Sequence, residues 1–106
     1  MIEPRIAALG LAFKANVDDL RKSPAVDIVG NLADRLPHVE ILAVEPNVRQ
    51  LPSSLSARDN VTLSGLAHAI DVADIVLVLV DHTPFRAVKR TAREGKVVFD
   101  TRGLWH

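Results

Sequence analysis

The sequence predicts a three-layer α/β domain, in which a mostly parallel β-sheet carries helices on both faces. The first observation is that four short runs are apolar throughout rather than alternating, which is typical of strands buried on both faces of a parallel sheet. These runs are RIAALGLAF (5–13), EILAV (40–44), DIVLVLV (74–80) and KVVFD (96–100). The second is that segments with helical periodicity lie between them, so strands and helices alternate along the chain.

Capping residues locate the helices. Ser23 is a suitable N-cap and Pro24 suits the first helical position, after which apolar residues recur at helical spacing. These apolar residues are Ala25, Ile28, Val29, Leu32, Ala33 and Leu36. A second helix is predicted over residues 65–73 with Ser64 as its cap, and a third over residues 84–95, ending at a glycine in the C′ position.

Residues 45–63 form the least regular stretch, in which residues 61–63 are predicted to add a short strand. The order of elements is therefore β-α-β-loop-(β)-α-β-α-β. Alternation of this kind implies parallel strands joined by right-handed crossovers. We therefore expect a single Rossmann-like domain over residues 1–106.

Composition and charge exclude several function classes. Thirteen basic side chains balance thirteen acidic ones, so net charge gives no reason to expect nucleic acid or an anionic membrane as a partner. The absence of cysteine excludes disulfides, thiolate metal sites and a cysteine nucleophile within this chain. No apolar run is long enough to span a bilayer, and the N-terminal residues lack the apolar core of a signal peptide. We expect a cytoplasmic protein.

Polar side chains follow each predicted strand, at the edge where ligands bind in open parallel sheets. In chain order they are Lys14, then Glu45 and Asn47, then Asp81 and His82, and last Asp100 and Arg102. Strands end in polar residues wherever water begins, so solvation explains any one of them about as well as a site does. It explains Lys14 and Arg102 less well, because a lone long cation is poorly paired unless an anion lies nearby.

A self-contained dinucleotide site is not predicted. Such a site needs Gly-x-Gly-x-x-Gly after the first strand, yet Gly10 lies inside the strand and residues 11–16 contain no glycine. The acidic residue that would hold the ribose should come about 20 residues later, whereas Glu45 comes far beyond that distance. A phosphate here would be held by the side chains of Lys14 and Arg102, with help from the helix N-terminus at Ser23.

Other candidate residues carry weaker signals. Asp81 and His82 are neighbours on an extended chain and point apart, so they do not form a catalytic dyad by spacing. A structural or ligand-facing role for His82 is more consistent with its position. The other histidines show no metal-ligand spacing, and no metal site is predicted. They are His38, His68 and His106.

Charged runs in the sequence are most simply solvated surfaces. Asp18 and Asp19 suit an exposed turn. Four basic residues fall on one face of the third predicted helix, at spacings of three and four, and are interpreted as a solvated face. They are Arg86, Lys89, Arg90 and Arg93.

Several motifs resemble the C-terminal domain of the UDP-glucose/GDP-mannose dehydrogenase family. They are AFK (12–14), DDLRKSPA (18–25), VEPN (44–47), ADIVLVLVDH (73–82) and FDTRG (99–103). Their combination and order, over nearly the whole chain, carry the resemblance, whereas none is decisive alone. The stretch VEPNVRQLPSSL (44–55), followed by VDHTPF (80–85) and GLWH (103–106), is most similar to the subgroup that acts on UDP-N-acetyl-D-mannosamine.

The resemblance implies that this chain is one domain of a longer enzyme. Members of the family oxidise the C6 alcohol of a nucleotide sugar to a carboxylate in two NAD-dependent steps. NAD is held mainly by an N-terminal Rossmann domain, and a central region carries the catalytic cysteine and the dimer contacts. By itself, this chain is expected to bind the UDP part of the substrate weakly and to have no catalytic residue and no activity.

The resemblance also assigns roles to four residues. Phe13 matches a residue that lines the UDP site, and Lys14 matches the lysine that reaches the phosphate or the reacting sugar. Arg102 matches an arginine at the last strand end that faces the nucleotide sugar. Arg21 matches an arginine that faces NAD across the cleft between domains. The turn after the first strand would then form half of a shared cleft.

Two alternatives to an enzyme domain stay open at this point. One is a stand-alone module that binds a nucleotide or a phosphate without catalysis. The other is a structural or interaction domain, which would give no ligand response and would expose a large apolar patch.

Overall fold

The computed structural model describes residues 4–12, 20 and 23–105, and within them the chain forms a parallel sheet of five strands. The strands are β1 (Arg5–Leu9), β2 (Glu40–Val44), β3 (Val61–Leu63), β4 (Ile75–Val78) and β5 (Val97–Asp100). Their order in the sheet is β3-β2-β1-β4-β5, and every neighbouring pair is parallel. The predicted α/β class and the short strand at residues 61–63 are confirmed.

Helical segments connect the strands on both faces of the sheet. They are α1 (Pro24–Arg35), α2 (Ser53–Ser56), α3 (Leu66–Val72), α4 (Thr83–Arg86) and a 3₁₀ turn at Arg90–Arg93. None of the helices in the described ranges has the length and apolar character that a membrane crossing requires. The alternation of one layer of helices, a sheet and a second layer matches the predicted three-layer architecture.

Two apolar clusters hold the helices against the sheet. Side chains alternate along a strand, so Ile6 and Ala8 of β1 pack towards α1, whereas Ala7 and Leu9 pack towards α3. Both clusters are buried, which explains why this strand is apolar throughout. Burial of both faces therefore accounts for the non-alternating pattern seen in the sequence.

Strand β5 departs from the prediction of burial on both faces. It pairs with β4 alone, at the edge of the sheet, with Val97 beside Ile75 and Phe99 beside Leu77. Val97 is 53% exposed and Phe99 is 56% exposed. Their register places both on the α1 face, which α1 does not reach at this edge. The apolar pattern predicted a strand correctly but not its neighbours.

The third predicted helix is also corrected. Instead of one helix, α4 ends at Arg86 and the 3₁₀ turn begins at Arg90; residues 87–89 separate them, and Lys89 is extended. A continuous helix would place Arg86 beside Arg90 and Lys89 beside Arg93, and like charges at this spacing destabilise a helix. Gly95, with φ of +78°, follows the turn in the left-handed conformation predicted for it.

The predicted helix caps differ in detail from those observed. Ser23 occupies the N-cap position of α1, but its hydroxyl donates to the Ala12 carbonyl at 3.1 Å and does not cap the helix. The N-cap of α3 is Gly65, and the Ser64 hydroxyl donates to the Gly65 carbonyl. The prediction that Ser64 caps this helix is therefore wrong.

Candidate functional site

The strand order places a switch in chain direction between β1 and β4. The chain passes from β1 through α1 to β2 on one side, and from β4 to β5 on the other. In open α/β sheets this reversal leaves a crevice beyond the carboxyl ends of the strands, where ligands bind. The segments that follow β1, β4 and β5 border this crevice.

A pocket of about 280 Å³ lies at this edge. One wall comes from the start of α1 and another from the end of β5, while Ala12, Leu79 and Val80 form the remainder. The lining residues from α1 are Pro24, Ala25 and Ile28, and those after β5 are Thr101 and Arg102. The pocket is mainly apolar, with one cation at its margin, and its volume is just below the range of complete small-molecule sites.

Arg102 is held at the pocket by contacts with the main chain. Its Nε donates to the Leu79 carbonyl at 3.0 Å, and its backbone amide donates to the Asp100 carboxylate at 3.2 Å. The Thr101 hydroxyl donates to the Val78 carbonyl and fixes the same turn. Among the described residues no carboxylate forms an ion pair with Arg102. Within the described part of the chain, a main-chain carbonyl rather than a carboxylate therefore positions the guanidinium.

The other predicted site residues fall outside the described part of the chain. They are Phe13, Lys14 and Arg21. Asp18 and Asp19, for which an exposed turn was predicted, also lie outside it. Of the two cations expected to lie side by side, the structure thus places Arg102.

Glu45 and His82 form a buried centre beside the pocket, which the sequence reasoning missed. His82 Nε2 lies 2.7 Å from Glu45 Oε1, and neither side chain is exposed. The same oxygen accepts hydrogen bonds from the amides of Leu11 and Ala12, both at 2.9 Å. Glu45 Oε2 accepts from the Asn47 amide and from Asn47 Nδ2, both at 3.1 Å.

These donors keep the Glu45 carboxylate ionised. Burial alone would raise its pKa, but the hydrogen bonds from His82, Leu11 and Asn47 outweigh burial and hold the pKa below its ordinary value. Because an ionised carboxylate only accepts hydrogen bonds, His82 Nε2 must carry a proton. Asn47 Nδ2 lies 3.5 Å from His82 Nδ1, so the three side chains close a triangle.

The signal that could have linked Glu45 and His82 is that each follows a strand. Glu45 follows β2 and His82 lies just beyond β4, and these strands flank β1. The prediction that His82 has a structural or ligand-facing role, and forms no dyad with Asp81, agrees with its burial. Asp81 instead lies 4.0 Å from Arg86, in an exposed pair.

The backbone at Gly10, directly after β1, is closely packed. Gly10 has φ of +100°, and a Cβ placed on it would lie 2.5 Å from Val80 Cβ and 2.9 Å from the Val80 amide. The space beside the Gly10 backbone is therefore filled by Val80, two residues beyond the end of β4, and is closed to a phosphate.

Two further features lie away from this edge. A larger pocket, about 600 Å³, runs between α3 and residues 84–96 and is lined mostly by apolar side chains. Of the basic residues interpreted as a solvated face, Arg93 instead packs its guanidinium 4.4 Å from the centre of the Trp105 ring. Within the described ranges, no group of histidines and carboxylates could hold a metal ion.

Known proteins match nearly the whole chain. Residues 7–106 match the model of the UDP-glucose/GDP-mannose dehydrogenase family, UDP binding domain. The chain is 47% identical over 103 residues to UDP-N-acetyl-D-mannosamine dehydrogenase of Salmonella typhi, covering 97% of this chain and 24% of that protein. It is 46% identical over 103 residues to NDP-N-acetyl-D-galactosaminuronic acid dehydrogenase of Ralstonia solanacearum, covering 97% and 23%.

Solved structures share the fold. The UDP-N-acetyl-mannosamine dehydrogenase from Staphylococcus aureus superposes with a TM-score of 0.70 at 31% identity, over 98% of this chain and 24% of that one. This chain thus spans about a quarter of the length of the relatives it matches. The match over residues 7–106, with the five-stranded parallel sheet, shows that the chain belongs to the UDP-glucose/GDP-mannose dehydrogenase family and corresponds to its UDP binding domain.

Proposed function

We propose that this domain binds the UDP part of a UDP-sugar at the carboxyl edge of the sheet, within an NAD-dependent nucleotide-sugar 6-dehydrogenase. The observation that carries the proposal is the position of Arg102, beside a pocket at the strand ends where ligands bind in open α/β sheets. A guanidinium can donate two parallel hydrogen bonds to a phosphate, which makes it suitable for a diphosphate.

The small size of the pocket supports a shared site. A volume of about 280 Å³ suits one part of a nucleotide sugar better than the whole molecule. The rest of the ligand would lie against another domain, and Phe13 and Lys14 would complete the site on this one. In this proposal the chain binds and orients substrate, whereas the oxidation takes place on a cysteine and NAD held elsewhere, with Arg21 facing NAD.

We propose UDP-N-acetyl-D-mannosamine as the substrate, which would be oxidised to UDP-N-acetyl-D-mannosaminuronate for surface polysaccharide synthesis in the cytoplasm. The relatives support a nucleotide-linked N-acetyl sugar, since their names include UDP-N-acetyl-D-mannosamine and NDP-N-acetyl-D-galactosaminuronic acid dehydrogenases. The choice between the sugars would be tested in a dehydrogenase that contains this domain. Faster NADH formation with the galactosamine substrate than with the mannosamine substrate would contradict it.

The proposed partners are the remaining domains of the same enzyme, which would act as a homodimer. The exposed apolar face of β5, formed by Val97 and Phe99, supports a covering partner, because large apolar side chains exposed on one face mark interaction surfaces. Hydrogen exchange or footprinting at Phe99 should show protection in the longer enzyme. Equal exposure of Phe99 in both chains would contradict this part of the proposal.

Binding of UDP to this chain tests the proposed site directly. Calorimetry should detect weak binding, and Arg102→Ala or Lys14→Ala should weaken it by about tenfold, since each removes a charge-assisted contact to phosphate. Arg35→Ala is the matched control, because Arg35 lies in the last turn of α1, at the opposite end of that helix from the pocket. Tight binding of UDP that neither Arg102→Ala nor Lys14→Ala changes would refute the assigned site.

A further inference from the structure

The Glu45 carboxylate joins three separate parts of the chain. Its two oxygens accept five hydrogen bonds: from the segment after β1 at Leu11 and Ala12, twice from Asn47 after β2, and from His82 beyond β4. Glu45 is 3% exposed and His82 is fully buried. Such a carboxylate fixes the relative positions of its donors, because leaving any of them unpaired in the interior is unfavourable.

Two of the segments it joins continue into the walls of the nucleotide pocket. Ala12 lines the pocket, and its amide donates to Glu45 while its carbonyl accepts from Ser23, the residue before α1. Val80 lines the pocket two residues before His82. The Glu45 carboxylate therefore does not line the pocket, but it contacts Ala12, which does, and His82, which lies two residues after the lining residue Val80.

We propose that Glu45, with His82 as its partner, is a positioning residue for UDP binding. It holds Ala12, and through Ser23 the start of α1, at a fixed distance from Val80 and so keeps the pocket open in one shape. The inference rests on the proposed function, because it concerns the same pocket. A preorganised wall increases affinity, since less freedom is lost when the ligand binds.

The geometry requires a carboxylate at this position. Both oxygens face donors only, so an amide in place of the acid would turn its NH₂ group towards another donor in either orientation. Glu45→Gln therefore cannot satisfy all its neighbours, although it has almost the same shape. This makes Glu45→Gln a test of the hydrogen-bonding pattern rather than of packing.

The experiment compares UDP affinity with stability in this chain. Asn60 provides a matched control, since its Nδ2 lies 3.1 Å from the carbonyls of Ala33, Leu36 and Val39, at the other end of α1. Asn60→Ala should lower the melting temperature without changing UDP affinity. Glu45→Gln should lower UDP affinity by about tenfold, which corresponds to one ordinary hydrogen bond, at a temperature where circular dichroism shows the chain folded.

A second pair of variants covers the case in which Glu45→Gln does not fold. His82→Leu removes the donor to Glu45, whereas His82→Gln supplies an amide donor in its place. UDP affinity should fall in His82→Leu and recover in His82→Gln, a rescue that loss of stability alone would not produce.

The outcomes separate the two proposals. Wild-type chain that binds UDP, with folded Glu45→Gln binding it equally well, would overturn the positioning role and leave the proposed function intact. If Glu45→Gln does not fold, an unchanged UDP affinity in His82→Leu would likewise overturn the positioning role and leave the proposed function intact. Wild-type chain that shows no heat of binding with millimolar UDP would overturn the proposed function and this inference with it.

Discussion

Glu45 and His82 lie 37 residues apart in the sequence, yet their side chains meet at 2.7 Å in the interior of the domain. Glu45 follows β2 and His82 lies beyond β4, and these two strands flank β1 in the sheet. Through the Ala12 amide, which donates to Glu45, the pair is connected to the wall of the candidate nucleotide pocket. Its burial gives it a larger expected effect on stability than ion pairs at the surface.

Removal of the imidazole tests that difference. His82→Leu should destabilise the domain by about 3–5 kcal/mol, because it leaves a buried carboxylate with one donor fewer. Arg86→Leu breaks the neighbouring exposed pair with Asp81 and should change stability by less than about 1 kcal/mol. Urea denaturation of both variants measures the free energies of unfolding. Equal changes in the free energy of unfolding would show that burial of the Glu45–His82 contact adds nothing to its contribution to stability.

Acid should unfold the domain through Glu45. Its pKa is lower in the folded chain than in the unfolded chain, so the ionised form stabilises the fold above the ordinary pKa of 4.5. The free energy of unfolding should therefore decrease as the pH falls below 4.5 and through the lowered pKa. Denaturation curves between neutral pH and the acid range measure the slope.

A control separates Glu45 from the other carboxylate with a lowered pKa. Arg58 lowers the pKa of Asp34 by hydrogen bonding at the surface, so Asp34 contributes a slope of the same sign. The slope should remain in Asp34→Asn and become shallower in Glu45→Gln. A slope that disappears in Asp34→Asn and persists in Glu45→Gln would assign the acid sensitivity to the surface pair.

Gly10 and Gly95 should respond differently to alanine, although both have positive φ. At Gly10 the new methyl group would meet Val80 at 2.5 Å, so overpacking adds to backbone strain, and a loss of about 3 kcal/mol or more is expected. At Gly95 no atom lies within 4 Å, so only the strain of about 1 kcal/mol remains. Thermal melts of the two variants measure the difference, and similar losses would contradict the close approach at Gly10.

Phe85 and Phe99 test the two apolar environments of the domain. Phe85 is completely buried in the cluster under α3, so Phe85→Ala should cost about 3–5 kcal/mol. Phe99 is 56% exposed on the edge strand, so Phe99→Ala should cost less than about 1 kcal/mol in this chain. Chemical denaturation compares the two variants. A large loss at Phe99 would mean that the edge of the sheet is covered by a second copy of the chain.

The sequence predicted the regular elements well because their signals are local. Apolar runs located β1, β2, β4 and β5, and helical spacing located α1 and α3. The prediction of a continuous helix failed where several weak local interactions oppose one another. Residues 84–95 have helical spacing, but like charges and a stacking contact between Arg93 and Trp105 divide them into two short pieces.

The α/β class, the charged strand ends and the position of Arg102 at one of those ends follow from the amino-acid sequence alone. Three features follow only from the folded chain: β5 lies at the edge of the sheet, Val80 fills the space beside Gly10, and Glu45 contacts His82. The periodicity of a segment shows which of its faces are apolar, and it can be read from residues that are close together in the sequence. Contacts between segments depend on the order of the strands, which is set when the two apolar clusters close around the sheet.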